Sequence, residues 1–515
     1  MKKLYRVLAV LGCVLYGAAV LLPVCRTLTG SVGLELGDLI INRRRLLLLA
    51  NSLKLGGATA VIACLIGLLC ALFIRNSSLH NKWYRYFFIL FLPVPYYIYA
   101  LSWMYLTRFL ANWWPAMLRY SMQGFGACLF VEVLTYLPLA ALFFLIALES
   151  INTESEKMAL IYRSPVSVLF RNVLPEISLY VAAAAGCIFT LSVTDFSVPS
   201  MFQYNTYALE IFSVFGRTGN ALQAGLLAWP LLLISGVPVL MMAHGGSRIG
   251  FPQVVRQNTR RRYPALFSAG IRLAFFLVCI QVAVPVVVFA LYSEGLDNLL
   301  HSYRLISEQL ATSMGIAAIA AVMALVLAAG PAVLLSKTNS LTAWALSMLP
   351  LIFPGALLAM GLLSAVNGSL FHWVSQTMLF PALGCAVRYM PFAVLILAAS
   401  IRHLDKRRLE MANIMATDEM ALIRLVFQML LPGILCAGGL MFFLTAGEEG
   451  IMLVLMPPGL ETASVKIYNY LHYGASQYVS GFCLVSVIAM LAIELIAIVM
   501  ADRYRKGGRN GRQRR

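Results

Sequence analysis

The sequence predicts an all-α membrane protein of about twelve spans, and three observations carry that prediction. Only 12% of its 515 residues are charged and 61% are hydrophobic, whereas a soluble domain carries roughly 25% charged residues. The apolar residues fall in blocks of about 20 or more, the length at which a helix crosses a hydrocarbon core of about 30 Å. The net charge of +18 is spread so that Lys and Arg gather in alternate loops. That spacing follows the rule placing basic residues on the cytoplasmic side, and it does not require a nucleic-acid partner.

The spans are expected at 1–24, 46–74, 86–106, 125–148, 177–200 and 222–243, then at 271–292, 310–335, 341–365, 378–400, 434–456 and 479–500. The first apolar run is longer than the core of a cleavable signal and shows no small-residue cleavage site, so it reads as a retained span with a cytoplasmic N-terminus. Arg43, Arg44 and Arg45 fall on the outer side in this scheme, against the general bias. Ten cysteines are scattered singly with no Cys-x-x-Cys, which reads as small buried hydrophobes.

The chain repeats itself. Pro95 and Ala100 answer Pro354 and Ala359, Tyr136-Leu137-Pro138-Leu139-Ala140 answers Tyr389-Met390-Pro391-Phe392-Ala393, and Leu174-Pro175 answers Leu431-Pro432, at offsets of 259, 253 and 257. The expected organisation is a six-span half over 1–247, a basic cytoplasmic linker over 248–270 with Arg256, Arg260, Arg261 and Arg262, a second half over 271–502, and a basic disordered tail over 503–515. An even number of spans per half makes the repeats parallel, related by an axis along the membrane normal.

Between spans in each half lies a charged amphipathic stretch, at 149–175 and 401–432. Both resemble the cytoplasmic coupling loop of ATP-binding-cassette importer permeases: Glu-Ala-Ala, three residues, Gly, nine residues, then Ile-x-Leu-Pro. Glu156, Leu174 and Pro175 take the corresponding places in the first copy, with Pro165 where many iron-type permeases have Ser-Pro. Glu410, Ala412, Ala416, Leu431 and Pro432 take them in the second. Lys157 and Met158 replace the Ala pair, while Tyr162 and Ala416 replace the Gly. Since Gly permits the positive φ that a tight turn often needs, a different turn is expected. Pro175 and Pro432 are expected to stop the amphipathic helix where the next span begins.

A second resemblance is more specific. Glu448-Glu449-Gly450, then Pro457-Pro458-Gly459-Leu460-Glu461-Thr462 and Ile467-Tyr468 up to His472-Tyr473-Gly474, resembles the last third of fused two-domain permeases of the iron(III) type. Thiamine, polyamine and phosphonate permeases are near relatives of that group. The resemblance implies the type I importer permease fold and two ATPase subunits gripping the coupling loops. It also implies a periplasmic solute-binding protein, and ATP and Mg acting on the partner ATPase with no cofactor bound by this chain. The absence of a Gly-x-x-x-x-Gly-Lys-Ser/Thr loop agrees with hydrolysis on another chain. The rival reading is an ion-coupled secondary transporter, which also favours parallel repeats.

Ionisable residues inside spans cost a few kcal/mol each and mark candidate sites. Asp195 and Glu448 hold matching places, with Glu449 beside the latter, and line the central route if the resemblance holds. Carboxylates there suit a hard cation, whose preferred ligands are oxygen. Glu132 and Arg388 are expected to play local structural roles, Lys54 to reach the interface with its ammonium, and Glu494 to reach water near the cytoplasmic end. The aromatic cluster from Tyr96 through Trp114 reads as an interfacial belt. The isolated His301, His372 and His472 do not form a metal site.

Overall fold

A computed structural model describes residues 12–21, 42–76, 94–113, 122–151, 153–249, 264–293, 295–366, 372–402, 404, 410–411, 414–416, 418–472 and 478–513. In the amino-terminal part the helices are α1 (Gly12–Leu21), α2 (Arg43–Asn76), α3 (Tyr96–Trp113), α4 (Gly124–Glu149), α5 (Thr153–Tyr162), α6 (Pro165–Glu176), α7 (Ser178–Thr194), α8 (Ser197–Met201), α9 (Tyr207–Thr218), α10 (Ala221–Leu227) and α11 (Trp229–Ile249). The carboxy-terminal part holds α12 (Ala265–Tyr292), α13 (Leu296–Lys337), α14 (Leu341–Ile352), α15 (Gly355–Val366), α16 (Leu379–Arg402), α17 (Glu419–Ala446), α18 (Gly450–Leu455), α19 (Ala463–His472) and α20 (Val479–Gln513).

The protein is a multi-pass, all-helical membrane protein. Among the described residues eight helices are long and apolar enough to span, or up to ten when each bent pair counts as one. Two of the twelve expected spans meet the edge of the described residues, at 1–24 and 86–106. The expected span 341–365 is broken, α14 and α15 meeting at 96°, and α6 meets α7 at 74° where the expected span 177–200 begins. The expected spans 177–200 and 434–456 both end early, because the helix breaks at Asp195 and again at 447–449. The tail expected to be disordered instead continues α20 as helix to Gln513. A segment rich in Lys and Arg suits that place, since positive charge is favoured toward a helix C-terminus.

Two triads form the body. Helices α2, α4 and α7 pack together, and α13, α16 and α17 do the same. Small residues let the backbones close in, the usual device where lipid offers no hydrophobic drive between helices. A Cβ on Gly67 of α2 would lie 2.6 Å from the Ala140 Cβ on α4, and one on Gly56 would lie 2.4 Å from the Val193 side chain on α7. The leading helices cross over. α1 approaches α13 so closely that a Cβ on Gly12 would stand 2.7 Å from the Gly330 Cα, and the Tyr16 hydroxyl donates to the Leu346 carbonyl. Meanwhile α12 packs on α2 and α3, stacking Phe275 on Phe73 at 4.4 Å.

Several side chains depart from expectation. Tyr97 and Tyr99 are core residues, so the aromatic stretch is a packing face of α3 and not a belt; among its described residues only the far end, at Trp113, is strongly exposed. Trp114 lies outside the described residues. Glu494 is 1% exposed and does not reach water, because α20 turns that face inward onto α12 and α13. Lys54 is exposed on the surface of α2.

Candidate functional site

The helices of the expected spans 177–200 and 434–456 break after α7 and after α17, and an acid sits at each of these breaks. After α7 the chain turns extended at Asp195, whose carboxylate accepts the Ser197 N–H at 3.0 Å and the Val198 N–H at 3.3 Å. After α17, the Glu448 carboxylate accepts the Ile451 N–H at 3.1 Å. The first N–H groups of a helix lack intrahelical partners, and a carboxylate there satisfies them while meeting the positive end of the dipole. Asp195 and Glu448, 253 residues apart, thus fill the same local role, each heading the short helix that follows its break.

Further bonds knit the breaks together. The Ser197 hydroxyl donates to Glu449, joining α8 to the start of α18. The Tyr389 hydroxyl donates to Glu448, and the Ser464 hydroxyl donates to the Glu448 carbonyl at 3.0 Å. Arg388 donates from Nη1 to the Phe353 carbonyl at 2.6 Å, holding the α14–α15 bend. Gly355 makes that arrangement possible, since a Cβ there would come within 3.2 Å of Glu448 Oε1 and 3.3 Å of the Arg388 side chain. Glu132 accepts from Thr59 Oγ1 at 3.0 Å and from the Ser192 hydroxyl, so α2, α4 and α7 share one buried carboxylate. The local roles expected for Glu132 and Arg388 are the ones they fill.

Beside this network lies a cavity of about 120 Å³. Its wall is built from pairs at the repeat offset: Tyr136 with Tyr389, Leu139 with Phe392, and Leu191 with Leu444. Pro95 and Tyr96 close one side and Gly447 another. The cavity therefore sits where matching elements of the two triads face each other, lined by three tyrosines among apolar side chains. The acids proposed for the route are not on this wall. Asp195, Glu448 and Glu449 are all buried, and Glu449 instead borders a narrow crevice with Ser197, Tyr97 and Tyr468. No three His, Cys, Asp or Glu side chains among the described residues converge as a metal site would require. In the sequence Tyr136 and Tyr389 stand out only as repeat markers. Their shared offset was the signal that could have placed them on an axial cavity.

Gly355 supplies a direct check of this packing. Gly355→Val is expected to lower stability by about 1–3 kcal/mol through overpacking, seen as a reduced Tm in detergent. Gly126→Ala, facing open space on α4, is expected to leave the Tm unchanged.

The first of the expected coupling elements lies at the Arg75 end of α2, and the second immediately precedes α17. In the first, Glu156 is not offered outward: it is paired with Arg75 at 2.9 Å, with the two side chains 7% and 1% exposed for Arg75 and Glu156. The outward residues of α5 are Met158, Ile161 and Tyr162, the last 85% exposed. The turn needs no positive φ. Ser164 is extended and accepts the Ser167 N–H, and Pro165 begins α6 where its missing N–H costs nothing. Leu174 and Pro175 end α6 after a π-helical turn over Leu169–Val173, and the chain then bends into α7.

The second element differs. Glu410 is exposed, Ala412 lies outside the described residues, Ile414 (83% exposed) and Met415 point outward, and Ala416 packs against Leu422 and Val426. Asp418 caps α17 by accepting the Ala421 N–H at 2.6 Å. Leu431 and Pro432 then lie inside α17, so Pro432 does not stop a helix as expected. One intrahelical bond is lost there, and close packing on α16 keeps the helix running: a Cβ on Gly433 would lie 2.1 Å from Ser400 Oγ.

No family model and no solved structure matches the chain. Among curated proteins it is 23% identical over 470 residues to the Fe(3+)-transport system permease protein FbpB 2 of Haemophilus influenzae, across 86% of this chain and 87% of that one. A 124-residue stretch, 24% of this chain, is 27% identical to a protein named as the putative 2-aminoethylphosphonate transport system permease PhnU in Salmonella typhi and Salmonella typhimurium, covering 42% and 43% of those proteins. These likenesses bear out the resemblance to iron(III)-type ATP-binding-cassette importer permeases; the relatives are transport permeases, not enzymes.

Proposed function

We propose, from a likeness to an iron(III) transport permease that runs through most of the chain, that this protein is the translocation subunit of a binding-protein-dependent importer. Its solute is iron(III) in the favoured reading, delivered by a periplasmic binding protein. Two partner ATPase subunits hydrolyse ATP, with Mg bound on their side. The chain lies in the bacterial inner membrane with both termini in the cytoplasm, as two six-span halves over 1–247 and 271–502. The single observation carrying the reading is that likeness, over 86% of this chain and 87% of its relative; the cavity lined by pairs at the repeat offset and the exposed apolar residues of α5 and of the segment before α17 agree with it.

The mechanism follows from that geometry. ATP binding closes the partner pair and draws the docking elements together. The triads then part on the outer side and the cavity between Tyr136 and Tyr389 opens to receive solute. Hydrolysis lets it close outward and open inward. Asp195, Glu448 and Glu449 hold the breaks around which the spans swing. They do not ligand the solute in the closed cavity. The partial likeness to PhnU supports a phosphonate as the second reading of the solute.

The test is purification of the chain from its native membrane followed by identification of what comes with it. An ATPase with a phosphate-cradling loop and a binding protein carrying iron(III) are the expected companions. A binding protein loaded with a phosphonate favours the second reading. Purification with no ATPase under conditions that keep the chain folded overturns the proposal.

A further inference from the structure

We infer that Arg75 is a positioning residue for transport: its buried ion pair with Glu156 makes α5 and the end of α2 move as one body. The inference rests on the proposed docking role of α5 and adds the route by which motion leaves it. Arg75 and Glu156 are 81 positions apart in sequence, yet Arg75 Nη2 stands 2.9 Å from Glu156 Oε2 with both side chains buried. Charge pairs shielded from water are neither screened nor easily exchanged for hydration, so the contact is a stiff one. The apolar side of α5 packs beside the pair. Ala159 and Leu160 are half-buried, while Glu154, Lys157, Met158, Ile161 and Tyr162 are all exposed.

From Arg75 the helix runs sixteen residues back to Thr59, about 24 Å at 1.5 Å per residue. Thr59 donates to Glu132, which also receives the Ser192 hydroxyl, three residues before the break at Asp195. Along that path α2 lies against α4 at Gly67, and one turn beyond Thr59 it lies against α7 at Gly56, with no room for a side chain at either. A push on α5 is thereby delivered, through a rigid helix, to the shared carboxylate beside the first break. The second docking element is built otherwise: Glu410 is exposed. The two halves therefore couple unequally, with the first anchored through Arg75.

Spin-label distances in the complex with its co-purified ATPase test this. One pair joins Leu65 on the exposed side of α2 to Lys157 on α5; a second joins Lys157 to Ile414 across the two docking elements. On trapping with ATP and vanadate, the 157–414 distance is expected to shorten. The 65–157 distance is expected to stay unchanged in the parent protein and to shift or broaden in Arg75→Gln. The charge-swapped double variant, Arg75→Glu with Glu156→Arg, is expected to restore the single unchanged distance. A 65–157 distance that moves in the parent, or that stays fixed in a folded Arg75→Gln, overturns the inference. If Arg75→Gln does not fold, a charge-swapped variant whose 65–157 distance moves on trapping overturns it equally. A 157–414 distance insensitive to nucleotide would instead strike at the docking role itself.

Discussion

Exchanging Met158, Ile161 and Tyr162 for Ser, together with Ile414 and Met415, is expected to abolish co-purification of the ATPase while leaving the Tm of the chain unchanged. These exposed apolar side chains lie on the two elements proposed to dock. An interface of standard size depends on a few such anchors, each contributing more than about 2 kcal/mol when it is a hot spot. Removing several at once is therefore expected to weaken association by more than about a thousandfold. The variant leaves every buried contact of α5 and α17 in place, so folding does not suffer. Size-exclusion of the purified chain with and without the ATPase reads the outcome directly. The contrast is Glu410→Ala, an exposed residue at the Glu place of the family pattern, whose loss is expected to have a smaller effect than the apolar set.

The second large effect is on stability. Glu156→Ala leaves the Arg75 guanidinium buried without its carboxylate, and breaking a buried pair by removing one partner costs about 3–5 kcal/mol. The expected result is a sharp fall in Tm or loss of folded protein from the membrane. Glu156→Gln keeps a hydrogen-bond acceptor and is expected to lose less. Asp195→Ala and Glu448→Ala each remove a helix-heading carboxylate, for about 0.5–2 kcal/mol apiece. Their effect is expected to appear in the Tm as well as in uptake, because both acids hold broken backbone. Uptake that falls at unchanged Tm would move them from the hinge to the solute route.

The helical membrane body was legible because apolar blocks of span length admit few alternatives in a bilayer, and α2, α4, α12, α16 and α20 lie close to where hydropathy places them. The Pro-bearing matches at offset 253 mark elements that line one cavity from both triads. The breaks were not legible. Across Val193-Thr194-Asp195-Phe196-Ser197-Val198 the sequence stays apolar enough to read as one span, and only the hydrogen bonds from 197 and 198 to Asp195 reveal a new helix. Proline has opposite outcomes in matching places: Pro175 precedes a bend, while Pro432 sits inside a continuous helix packed closely on α16 at Gly433. No local rule separates the two, because the deciding contact comes from another helix.

The candidate site divides in the same way. Asp195, Glu448 and Glu449 stand out because charge is rare in spans, but their role in holding breaks depends on backbone geometry that composition does not carry. Glu156 stands out by its place in a loop pattern. Its partner Arg75 does not, since nothing near either residue signals a contact 81 positions long. Tyr96 reads as part of a belt because aromatic clusters at span ends usually are. Its neighbours Pro95 and Gly447 place it on the cavity wall instead.

The central claim is that this chain supplies a path and a partner supplies the drive. It is tested by reconstituting the purified chain in liposomes with the ATPase and loaded binding protein that accompany it, and following the binding protein's own ligand. The account predicts accumulation that requires all three proteins and internal ATP, and that stops when the Met158, Ile161, Tyr162, Ile414 and Met415 set is exchanged. Accumulation by the chain alone, driven by a proton or sodium gradient with no nucleotide present, would contradict it.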